Sequence, residues 1–300
     1  MEKAKLTILG TSSAVPTSKR NHPAHLIQYK GENILIDCGE GTQRQFRIKK
    51  INPCKLTKIL ITHWHGDHVL GLPGLLQTLM LNGYNKTLQI YGPKGTEKML
   101  KLYLDLFTHK EKISIQTHDI HSSIPINEKE FQILAEKMNH ETPSLAYSFI
   151  IKEKTRIDKQ KLKKLNLPNS SEIAKLLQGK TITINKKKIN GKKLLYTEPQ
   201  RKLTIIMDTL QNPNTIKIAK GSDLLICEST YSKEAEDLAK KHFHLTSEQA
   251  ATIAKKSKSK KLILTHFSQR YSDNSKIHQQ QAKKIFKNTI TANDFDEFEF

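Results

Sequence analysis

Cysteine is scarce in this 300-residue chain: Cys38, Cys54 and Cys227 are odd in number and far apart. That excludes a disulfide framework and points to a reducing, cytoplasmic compartment. Cys38 and Cys227 lie in apolar, strand-like runs and read as small core residues. Long apolar runs are missing as well. None approaches the roughly eighteen residues that would span a bilayer, so no membrane segment is expected. Met1–Gly10 carries charges within its apolar run and reads as a first strand, not a signal peptide. Acids are also few, with 29 Asp and Glu against 50 Lys and Arg, a formal net charge of +21. Such a surface attracts polyanions, nucleic acid first and anionic membrane second.

What is present suits one large α/β domain or two small ones. Short β-prone runs are expected at Lys5–Leu9, Leu26–Tyr29, Ile34–Asp37, Lys58–Thr62 and Leu88–Tyr91. Others follow at Ile113–Gln116, Phe131–Ala135, Leu145–Ile151, Leu203–Met207, Leu224–Cys227 and Leu262–Thr265. Helices are expected at Val69–Leu81, with Pro73 in its first turn, and at Gly95–Phe107, Ser232–Lys241, Ser247–Ser257 and Lys276–Phe286. Strands mixed with helices in both halves mean an α/β protein with internal sheets.

One segment stands apart. Lys152–Lys193 carries fourteen basic residues and three acids, a net of +11, with no aromatic residue and a break around Pro168. It reads as an inserted, protruding arm. A charge run is commonly no more than a solvated surface, but this size and charge favour a binding role.

The chemistry concentrates in Thr62-His63-Trp64-His65-Gly66-Asp67-His68, directly after the buried run at 58–62. Histidines two apart cannot share a helix face, but they can converge from a tight loop at a strand's end. Gly66 gives such a loop its freedom. Imidazole nitrogen and carboxylate oxygen suit Zn²⁺.

His-x-His-x-Asp-His in this setting resembles the core motif of the metallo-β-lactamase superfamily. The resemblance narrows to the tRNA 3′-processing endonucleases, tRNase Z. It rests further on Leu9-Gly10-Thr11-Ser12, Asp37-Cys38-Gly39-Glu40-Gly41-Thr42-Gln43, Gly71-Leu72-Pro73-Gly74-Leu75, Tyr91-Gly92-Pro93-Lys94-Gly95 and Leu264-Thr265-His266-Phe267-Ser268-x-Arg270-Tyr271. It covers nearly the whole chain in the right order. It implies one αββα sandwich over residues 1–300, with the arm at 152–193 as a tRNA-binding exosite. It also implies two Zn²⁺ per chain: His63, His65 and His140 on the first, Asp67, His68 and His266 on the second, and Asp208 bridging.

A pair of cations about 3.5–4 Å apart grips a phosphate oxygen and makes water nucleophilic near neutral pH. The resemblance gives Asp67 a second role as acceptor of the nucleophile's proton. It makes His244, in His244-x-Thr246, the donor to the leaving 3′ oxygen. Thr246 and Gln249 have capping-box spacing, so a helix is expected to start there. Arg20, Asn21 and Arg270 are implied as substrate contacts, tRNA precursors as substrates, and a homodimer as the assembly. Three departures stand out. Met207 precedes the bridging aspartate where relatives carry Gly, Lys19 falls one place late in the loop before Arg20, and Asn169-Ser170 replaces a Gly-Pro near the arm's tip. The alternative activity is a broader phosphodiesterase or ribonuclease on the same site. A small-ester hydrolase would not need the arm, and a non-catalytic RNA-binding subunit would not need the full ligand set.

Overall fold

A computed structural model describes residues 3–106, 113–120, 126–165, 172–184, 187–272 and 274–300. Sheet one contains β1 (Lys5–Gly10), β2 (Ala24–Tyr29), β3 (Glu32–Ile36), β4 (Lys58–Leu60), β5 (Thr87–Pro93) and β6 (Ser114–Ile120). Sheet two contains β7 (Ile126–Asn127), β8 (Phe131–Met138) and β9 (Ser144–Ile151). Two ribbons follow, from β10 (Lys154–Ile157), β11 (Thr181–Ile184), β12 (Lys187–Asn190) and β13 (Leu195–Glu198). The chain then returns to sheet two through β14 (Arg201–Ile206), β15 (Leu224–Glu228), β16 (Lys261–Thr265) and β17 (Thr289–Thr291). It closes on sheet one with β18 (Glu297–Glu299). The sheet orders are β18-β1-β2-β3-β4-β5-β6 and β17-β16-β15-β14-β9-β8-β7.

Three apolar clusters define four layers. Leu6, Ile8, Ile34, Tyr147, Phe149, Leu203 and Ile205 belong to the cluster between the sheets. Leu9, Leu35, Ile59 and Ile61 face the other way, onto Phe46, Leu72, Leu76 and Leu100 of the helices covering sheet one. Ile206, Leu225 and Leu264 do the same for sheet two, against Ile218, Ala250 and Ala282. This is the expected αββα sandwich. Both faces of β9 are covered, so all eight of its residues are buried, two serines among them; Ser148 Oγ meets Thr204 Oγ1 at 2.7 Å and donates to Ile218 O at 3.1 Å. Phe149 packs against Tyr29 and Phe131; truncating it to Ala would cost about 3–5 kcal/mol.

The sequence misplaced some elements. The helix expected at 69–81 is two, Gly66–Val69 and Leu72–Leu81. Between them Gly71 lies against the loop after β3, where a Cβ would fall 2.0 Å from the Gly39 carbonyl oxygen. The helix expected at 232–241 begins as a 3₁₀ turn, Lys233–Ala235, before Glu236–Lys241. Helices Thr42–Ile48 and Pro213–Ala219 were not anticipated. Each spans two turns, too short for a periodic signal, although Asn212 before Pro213 is a good start signal.

The arm stands on β10 and β13, which pair antiparallel from Lys154↔Glu198 to Ile157↔Leu195. Its root therefore extends past Lys193 to Glu198. Leu176, Ile182 and Leu194 form its own small core. Asn169 and Ser170, expected near the tip, lie outside the described residues.

Topology places the site. β14, β15 and β16 are parallel, so their carboxyl ends share a rim, where antiparallel β9 begins. The rim of sheet one joins it directly: Leu145 N–H donates to Thr62 O at 2.9 Å, and Tyr147 Oη to Ile61 O at 2.7 Å.

Candidate metal centre

The His63–His68 segment leaves β4 and turns into the short helix Gly66–Val69 at this junction. Gly39 permits the approach, since a Cβ there would lie 2.2 Å from Asp67 O. His140 comes from the turn before β9, Asp208 from the end of β14, and His266 from the end of β16.

These residues fall into two adjoining groups. His63, His65, His140 and Asp208 form one; Asp67, His68, Asp208 and His266 form the other, the ligand atoms of each group lying within 4.8 Å of one another. Asp208 belongs to both. Its Oδ2 is 3.6 Å from His63 Nε2 and 3.9 Å from His140 Nε2. Its Oδ1 is 3.5 Å from His68 Nε2 and 3.2 Å from His266 Nε2. Met207 does not spoil this approach, because its side chain points into the inter-sheet core.

The donor set fits metal. His63 Nε2, His68 Nε2 and Asp208 Oδ1 are buried without a hydrogen bond, and such atoms are costly unless something else satisfies them. Burial holds His63 well below its ordinary pKa, as the neutral ligand form. Burial alone would raise Asp208, but His266, His68 and His244 hold it ionised. Burial likewise opposes ionisation of Asp67, and His68 and His266 outweigh it. Burial would lower His68, yet Asp67, Asp208 and Asp37 raise it well above the usual value. Three carboxylates around one imidazole make a field that favours positive charge.

Outer partners fix the ring orientations. Asp37 Oδ2 is 2.7 Å from His68 Nδ1, while its Oδ1 accepts from Thr62 N–H at 2.8 Å. Thr230 Oγ1 lies 2.9 Å from His266 Nδ1, and the Phe243 carbonyl 3.1 Å from His140 Nδ1. Asp37, Phe243 and His266 all have left-handed backbones, at φ 59°, 56° and 61°. Such strain in non-glycine residues collects where a site demands a particular direction.

His244 sits beside the second group. Its Nδ1 is 3.2 Å from Glu228 Oε1 and 3.3 Å from Thr230 Oγ1. Burial would lower this imidazole, but Glu228 and Asp208 raise it to about 9. The expected capping box is present, Thr246 Oγ1 accepting from Gln249 N–H, so the loop carrying His244 has a fixed end. Sequence reasoning missed Glu228. Its signal was an acid ending an otherwise apolar strand: the fully buried carboxylate accepts from Thr209 N–H and from Thr230 Oγ1 as well. Asp37 was quoted in a motif without a role.

The expected substrate contacts divide. Arg20 is held within the framework of the rim. It is buried, its guanidinium donates to Thr11 Oγ1, Ala292 O, Ser275 Oγ and Asn293 Oδ1, and it lies over the Phe267 ring. Asn21 shapes the rim through a 2.8 Å bond from Nδ2 to Glu40 O. Arg270 is exposed on the 3₁₀ turn Gln269–Tyr271, beyond His266.

The family model described as anti-Pycsar protein Apyc1 matches residues 4–160, a span that stops before Asp208, His244 and His266. Relatives matched over nearly the whole length include ribonucleases Z. That of Nanoarchaeum equitans is 37% identical over 294 residues, covering 98% of this chain and 92% of the relative. That of Protochlamydia amoebophila is 37% identical over 302 residues, covering 100% and 98%. Among solved structures, human short-form tRNase Z superposes with a TM-score of 0.71 at 28% identity, covering 98% of each chain. A metallo-β-lactamase-fold protein of Bacillus subtilis gives 0.73 at 18% identity over all of both chains, a likeness of fold.

Proposed function

The chain belongs to the ribonuclease Z family, and we propose that it is a zinc-dependent endoribonuclease acting on tRNA precursors. It cuts 3′ of the discriminator nucleotide, leaving a tRNA 3′-hydroxyl and a 5′-phosphorylated trailer. The observation that carries this reading is the Asp208 carboxylate, with one oxygen turned to each ligand group, beside a histidine braced by Glu228.

In this reading His63, His65, His140 and Asp208 hold one Zn²⁺, and Asp67, His68, Asp208 and His266 the other. When bound, the ions polarise a phosphoryl oxygen and make water nucleophilic near neutral pH. Asp67 accepts the proton released by the attacking water. His244 keeps its Nδ1–H on Glu228, so Nε2 delivers the proton to the departing 3′ oxygen. Arg270 and Asn21 meet the RNA near the cut. The arm, with its excess of lysine, grips the RNA backbone at a distance. Family likeness supports a homodimer in which one subunit's arm serves the other. The three free thiols support a reducing cytoplasm.

The test is cleavage of a tRNA precursor with both ends of the cut mapped. A single cut after the discriminator nucleotide is expected. Hydrolysis of small phosphodiesters with no precursor cleavage would transfer the reading to a broader phosphodiesterase.

A further inference from the structure

The arm was expected to hold RNA by charge alone, because Lys152–Lys193 contains no aromatic residue. Its root ribbon changes this. β13 brings Tyr196 back opposite Arg156, and the ring is 48% exposed. It borders an open groove of about 620 Å³, lined also by Arg156, Ile157, Asp158, Lys159, Gln160 and Glu198.

The polar groups of this groove are unequally committed. Glu198 is taken by Arg156, whose Nε donates to it at 3.1 Å. Asp158 caps the helix Lys159–Lys164 by accepting from Gln160 and Lys161 N–H. Both acids are thus internally engaged. Lys159 and Gln160 are exposed. A flat aromatic face, a side-chain amide, a cation and room for a ring system are what an unstacked nucleobase with its flanking phosphate requires.

We propose that the groove at the arm's root receives an unpaired base of the RNA substrate, stacked on Tyr196, with Gln160 at the base edge and Lys159 at the adjacent phosphate. The inference rests on the reading of this chain as an RNA-cleaving enzyme. It adds to that reading a stacking contact remote from the metal centre. An otherwise electrostatic grip reads backbone and shape; one ring pocket lets the arm detect whether a base is free at a fixed place.

Steady-state cleavage of a tRNA precursor by the full chain tests this, with KM measured as a function of salt. Tyr196→Ala is expected to raise KM about tenfold, within the range found for base-on-aromatic stacking. The loss should fall in KM and not in kcat, and the slope of log KM against log salt should stay as in the parent. Tyr196→Phe and Tyr196→Trp should both retain the parental KM, which also shows that the arm tolerates substitution there. Lys159→Ala should flatten the salt slope by roughly 0.7–0.9, the share of one phosphate contact. An unchanged KM in Tyr196→Ala, or Tyr196→Phe as weak as Tyr196→Ala, overturns the proposal. If the parent chain cuts no precursor, the functional reading fails first. If arm removal raises KM and Tyr196→Ala does not, the stacking pocket alone fails.

Discussion

Nδ1 of His244 lies 3.2 Å from Oε1 of Glu228, a carboxylate wholly buried at the carboxyl end of β15. The pair sets which nitrogen faces the cleft. His244→Ala is therefore expected to retain metal and RNA binding while cleavage slows by roughly 10²–10⁴-fold, the usual worth of a general acid. Glu228→Gln should slow the reaction less, with KM retained, because the ring stays but its brace weakens. Single-turnover rates on precursor RNA check both. Parental turnover in His244→Ala would move the acid elsewhere, His242 being the nearest candidate.

Metal content follows from the donor geometry. Purified chain should carry close to two Zn²⁺, and chelation should abolish cleavage until zinc is restored. Asp67→Ala should lose both activity and occupancy. Asp37→Ala should weaken metal affinity by about 10–100-fold, since Asp37 orients His68 from behind. Elemental analysis and competitive chelator titration supply the readout. Metal-free chain that still cuts RNA would refute the assignment.

Arm removal should separate two activities. Ile151 and Arg201 are cross-strand partners, so a short Gly-Ser turn can replace everything between them. Hydrolysis of a small chromogenic phosphodiester should survive. Precursor cleavage should fall steeply through KM, and the residual binding should depend less on salt. An armless chain that processes precursor as well as the parent at moderate salt would reduce the segment to a solvated surface.

His278 predicts an acid sensitivity. Its ring is buried against Phe267 and Tyr271, with neither nitrogen hydrogen-bonded. Burial, aided by the Arg20 charge, lowers its pKa to about 4. An unfolded imidazole protonates near 6.5, so between about 6.5 and 4 the unfolded chain binds the extra proton. Stability is thus full above about pH 6.5 and lost as pH falls, by roughly 3 kcal/mol from this residue. His278→Phe should flatten that part of the melting-temperature profile between pH 7 and 4.5. An identical profile in the variant would assign the acid sensitivity to other groups.

The sequence was most legible where chemistry and periodicity coincide. His63, His65, Asp67 and His68 occupy one short segment after an apolar strand. The strand and helix runs gave the α/β class, and the αββα layering came from the family resemblance. His140, Asp208 and His266 are isolated in sequence. Only family likeness proposed them, because their convergence depends on parallel β14–β16 bringing distant ends together. Glu228 and Asp37 escaped notice for the opposite reason. A buried acid shows its function only through its partners, and those partners are long-range hydrogen bonds. The partners of Arg20 were equally illegible, because a motif match says that a residue is required without saying which way it faces. Tyr196 fell outside the arm because charge, the signal used to bound it, ends before the strand that completes the ribbon.

Each ligand group draws on both sheets, and the second requires His266 as well as Asp67 and His68. The donors of the second group therefore come from residues 67 to 266 of the sequence. Until residue 266 has emerged and sheet two has closed on sheet one, the second set of donors is incomplete. The grouping is thus a property of the closed sandwich and of neither sheet alone.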